Sequence, residues 1–77
     1  MNQRARVWYA KYIGYSFNDE GKEVILRDVF YWEDETGKSK CTGYELYYPE
    51  SGRTVFTDIS EMRRIARQTK TPRRSAQ

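Results

Sequence analysis

The sequence contains no histidine, a single cysteine, two prolines and no long apolar run. Without imidazole there is no His general base, no Ser/His or Cys/His nucleophilic pair and no metal site built on His. Hydrolases of the usual kinds are excluded, and we expect a protein that is not an enzyme. Cys41 alone cannot form an internal disulfide or a zinc or iron–sulfur site, which fits a reducing compartment. Glu33, Asp34 and Glu35 form the only carboxylate cluster, but they lack the alternating ligand spacing of a calcium loop and read as a solvated turn. No metal or other cofactor is expected. No stretch approaches the roughly 18 apolar residues that cross a bilayer. The apolar segment 7–13 is broken by Lys11 and lies too near the start for a signal peptide. The expectation is a soluble, cytoplasmic chain with no membrane partner.

Aliphatic residues are also scarce. Val, Ile and Leu total ten, whereas the aromatics number twelve, seven of them Tyr. A chain of 77 residues makes one small domain. Without disulfide or metal, its core yields little more than a few kcal/mol net.

Fourteen Lys and Arg against eleven Asp and Glu give a net charge of +3, and this charge is polarised. Residues 61–77 hold six cations and one acid, for +5, whereas residues 1–60 carry −2.

The acidic body reads as strands, because β-branched and aromatic residues are dense and turn signals recur at short spacing. Asn18-Asp19-Glu20-Gly21 separates a strand over 6–17 from one over 22–32. The turn at 33–37, ending in Gly37, precedes a strand over 38–48, and Pro49-Glu50-Ser51-Gly52 precedes a short one over 53–57. Loops this short make consecutive strands antiparallel neighbours. Asp58 then caps a helix, with Glu61 three positions on, and Ile59, Met62, Ile65 and Ala66 supply an apolar stripe. The helix is expected from Ile59 to about Thr69. Pro72 prevents its continuation, and 71–77 reads as a flexible basic tail. The predicted fold is α+β: an antiparallel meander of three to four strands, curled towards a barrel, with the C-terminal helix on one face. Residues 1–70 form the domain and 71–77 the tail.

Strand alternation puts apolar residues on both sheet faces. Asp28 and Lys11 interrupt the two apolar sets, which points to a bulge that switches sides, and Gly14 and Gly43 are bend candidates. One helix cannot cover both faces of such a sheet, so aromatic surface is left over.

Two functions follow from these features. In the leading one, Arg63, Arg64, Arg67, Lys70, Arg73 and Arg74 contact nucleic-acid phosphates while sheet aromatics stack nearby, in a small regulatory protein. Three Arg within five residues exceed what helix-end electrostatics require. In the second, a Tyr-rich sheet face carrying Tyr9, Tyr15, Tyr31 and Tyr47 binds a larger protein, as an interaction module or a small inhibitor of the kind mobile elements encode. A homodimer burying the second sheet face is a further expectation. The sheet-then-helix layout does not choose among these functions.

Overall fold

A computed structural model describes residues 9–33 and 35–74, with side chains at 9–31, 35–38 and 43–74. Among these residues five strands form one antiparallel sheet: β1 (Tyr15–Asp19), β2 (Lys22–Glu33), β3 (Ser39–Tyr48), β4 (Arg53–Thr57) and β5 (Arg73–Arg74). Their order is β4-β3-β2-β1-β5. Helix α1 (Ile59–Gln68) packs against one face. The α+β meander with one helix is therefore the architecture. With β4 and β5 as its two edges, the sheet stays open and does not close into a barrel.

The expected first strand is shorter than its composition indicates. Residues 6–8 of it lie outside the described residues, and Ala10–Tyr12 form a 3₁₀ turn. Tyr9 sits in the left-handed region with φ 69°, and its carbonyl accepts from Tyr12 N at 2.9 Å. Local hydrogen bonds of this kind take the backbone groups that a strand would offer to a ladder. Gly14, at φ +90°, turns the chain into β1, and its N–H donates to Leu26 O at 2.7 Å. Positive φ is cheap only for glycine, so the bend read from the sequence falls here. The rings preceding the bend stack edge-on at the end of the core: Tyr12 on Tyr15 at 5.4 Å and on Phe17 at 5.9 Å, and Tyr9 on Tyr44 at 6.2 Å.

The turn after β1 has two residues, Glu20 at φ 52° and Gly21 at φ 87°, between the paired Asp19 and Lys22. Two successive positive φ values match the right-handed twist of a tight hairpin. In β2 the register against β3 shifts between Leu26 and Asp28, and again between Phe30 and Tyr31. The first shift leaves Arg27 as the extra residue. It moves the buried positions from Val24 and Leu26 to Val29, which is the change of side that Asp28 foretold. The buried cluster comprises Ala10, Phe17, Val24, Leu26, Val29, Tyr44, Leu46, Met62 and Ile65. Tyr44 is completely inaccessible, and Met62 and Ile65 bring the helix onto the sheet.

Helix α1 starts where the sequence places it. Asp58 Oδ1 accepts from Glu61 N at 3.0 Å, satisfying one of the orphan donors of the first turn. At the other end Thr69 Oγ1 accepts from Asn18 N at 2.9 Å, and Gln68 Oε1 accepts from Glu20 N at 2.7 Å. These bonds fix the helix end to the first hairpin. The chain then passes Pro72 and returns along β1, pairing Arg73 with Ser16 and Arg74 with Tyr15. Part of the segment read as tail thus supplies an edge strand, and residues 75–77 lie outside the described residues.

Candidate functional site

The six cations nominated for phosphate contact separate into two groups. Arg64 turns towards the hairpin tips. Its Nη2 donates to Glu61 Oε2 at 2.9 Å, and its Nη1 lies 3.1 Å from Asp19 Oδ1 and 3.8 Å from Glu20 Oε1. The hydrogen bonds to Glu61 and then to Asp19 push the guanidinium pKa still higher, so Arg64 stays charged at any ordinary pH. Asp19 in turn accepts from Tyr48 Oη at 2.8 Å through Oδ2. Burial first, then the hydrogen bond to and charge of Asp19, push the Tyr48 hydroxyl up to about 12. The cluster joins the end of β3, the first hairpin and the helix.

The other five cations are exposed. Arg63 and Arg67 are four residues apart on α1 and share one side of it. Lys70 follows the C-cap Thr69, and Arg73 and Arg74 form β5. A groove of about 590 Å³ between β1 and the helix end is lined by Ser16, Asn18, Gln68, Thr69, Lys70 and Arg73, among others. The exposed cations therefore occupy the outer side of the helix and the β5 edge.

The four nominated tyrosines do not share a surface. Tyr9, Tyr15 and Tyr31 are half-buried and pack against the core from the helix side. The 3₁₀ turn repositions Tyr9, and the β2 bulge puts Tyr31 in phase with the buried residues. Only Tyr47 lies on the opposite face, in register with Ile25 and Thr54, with the Arg27 guanidinium carbon 4.1 Å from its ring centre. A Tyr-rich second face is not what the fold presents.

That face carries phenylalanine instead. Phe30 is 40% exposed and Phe56 67%, and their rings lie 6.0 Å apart. Neither was singled out from the sequence, because parity counted along an unbroken β2 grouped Phe30 with Val24 and Leu26. Gly43, in register with Phe30, is the one sequence signal: a residue without a side chain opposite a large ring. A Cβ on Gly43 would come 3.1 Å from Thr57 O, so β3 and β4 approach closely there. Among the described residues no helix is long and apolar enough to cross a membrane. Compared with known protein families, characterised proteins and solved structures, the chain matches none.

Proposed function

We propose that this protein binds nucleic acid from one side, through phosphate contacts made by Arg63, Arg67, Lys70, Arg73 and Arg74. The observation that carries this reading is the exposure of five cations along the helix and the β5 edge. Arg64 is engaged with Asp19, Glu20 and Glu61, while the other five are exposed along the helix and the β5 edge. Carboxylates that would repel a phosphate backbone are thus partly neutralised beside the helix. The exposed aromatics Phe30 and Phe56 lie on the far sheet face, so these two rings do not stack on bases held against the helix. Binding of this type is electrostatic and largely independent of sequence.

Fluorescence anisotropy with a labelled oligonucleotide at several salt concentrations tests it. About five phosphate contacts give a slope of log affinity against log salt of roughly −4 to −5. Replacing Arg63, Arg67 and Lys70 by Ala reduces the slope by about three, whereas Arg64→Ala lowers the melting temperature and leaves the slope nearly unchanged. A flat salt dependence in the unaltered protein would refute the proposal.

A further inference from the structure

On the sheet face away from the helix, two rows of residues meet around Gly43. Asp28, Glu45 and Phe56 stand directly opposite one another across β2, β3 and β4, so their side chains share this face. In the next row on the same face, Phe30 is opposite Gly43. Asp58 follows Thr57 in extended backbone (φ −101°, ψ −179°), with the same parity as Phe56, and continues this second row beyond Gly43. Because Gly43 has no side chain, the row has a gap, beside which the rings of Phe30 and Phe56 lie 6.0 Å apart. The result is a notch of about 570 Å³, lined by Phe30, Gly43, Phe56, Thr57 and Asp58, among others.

Two features of this notch select a ligand. Both rings are exposed, and the face of an aromatic ring attracts a cation. The carboxylates of Asp28, Glu45 and Asp58 stand in the same two rows, and among the described residues no Lys or Arg lines the notch. Asp58 caps the helix through Oδ1, which leaves Oδ2 for a donor. An apolar ligand would suit the rings but not the carboxylates, and an anion would be repelled. A guanidinium suits both, because it is planar, stacks on aromatic rings and donates to a carboxylate in a fixed fork, whereas an ammonium is compact and strongly hydrated. One such contact already exists on this face, in the neighbouring row, where the Arg27 guanidinium carbon lies 4.1 Å from the ring centre of Tyr47. Free arginine would bring its own carboxylate among three others, so the ligand is an arginine side chain within a peptide.

We infer that the notch at Phe30, Gly43 and Phe56 binds an arginine side chain from a basic segment of a partner protein, with the guanidinium against the two rings and donating to Glu45 and Asp58. The notch lies on the face away from the helix cations, and its ligand has the opposite charge to a phosphate. The inference therefore does not rest on nucleic-acid binding and is measured without it.

Titration of the full chain with the blocked peptide Gly-Arg-Gly, followed by NMR of the backbone amides and the Phe rings, tests it. The Gly43 amide and the Phe30 and Phe56 ring signals should shift together and saturate at millimolar peptide. Gly-Lys-Gly should bind about threefold more weakly, and the uncharged citrulline analogue about tenfold. Phe56→Leu, at a mostly exposed position, and Glu45→Gln, both checked for native circular dichroism, should each weaken binding by about threefold to tenfold, whereas Arg67→Ala on the helix should not. Unmoved Gly43, Phe30 and Phe56 signals at about 50 mM peptide overturn the inference. Equal affinity for the lysine or citrulline peptide does so too, as does binding that survives both substitutions. Movement of the same signals on dilution without peptide would assign the notch to a second copy of the chain and would equally overturn it.

Discussion

Tyr48 closes β3 with its hydroxyl donating to Asp19, and Asp19 in turn faces Arg64. The three side chains come from the sheet, a hairpin tip and the helix, so each alone says nothing about the others. Because burial and the Asp19 carboxylate raise the Tyr48 pKa from 10.0 to about 12, the folded state holds this proton more tightly than the unfolded chain. Its contribution to stability is complete below pH 10 and is lost as the pH rises towards 12. Denaturant melts between pH 9 and 12 should show this decline, and Tyr48→Phe should reduce its steepness. Arg64 illustrates the limit of reading cations from sequence. It is one of three Arg within five residues, and the position of the first hairpin is what gives it Asp19 and Glu20 as partners.

Elements with short-range causes were the most legible. The helix follows from Asp58 as cap and from the spacing of Ile59, Met62 and Ile65, and it forms over Ile59–Gln68. Asp58→Ala should cost about 1 kcal/mol in chemical denaturation, since the Glu61 N–H loses its acceptor. The span of β4 likewise matches the expected 53–57, because Gly52 and the cap bound it. The first strand was less legible, since Tyr9, Tyr12 and Ile13 have strand-like composition. Their place is decided by the 3₁₀ hydrogen bonds and by Gly14, not by propensity. The bulge at Arg27 was foreshadowed by Asp28, but its consequence for Phe30 and Tyr31 required the β2–β3 register.

At the scale of the whole molecule, one ten-residue helix covers one face of the sheet, and the stability of the fold depends on that contact. Met62 is fully buried where the helix meets the sheet, so Met62→Ala should cost about 3 kcal/mol and lower the cooperativity of unfolding, measured by urea titration. Among the described residues, the face away from the helix and the β4 edge hold the exposed large apolar side chains, while the opposite edge and the outer helix hold the cations. By itself the sequence determined the fold class, the helix and its cap, the turns at Gly21, Gly37 and Gly52, and the segregation of positive charge into the last 17 residues. These are set by neighbours a few positions apart, or by simple counting. Only the tertiary structure decided that Arg64 is engaged by acids, that three of the four nominated tyrosines line the core, and that Phe30 and Phe56 are exposed together. Those outcomes depend on contacts between distant segments and on a bulge that reverses the sides of a strand, and side-chain parity along the chain does not carry that information.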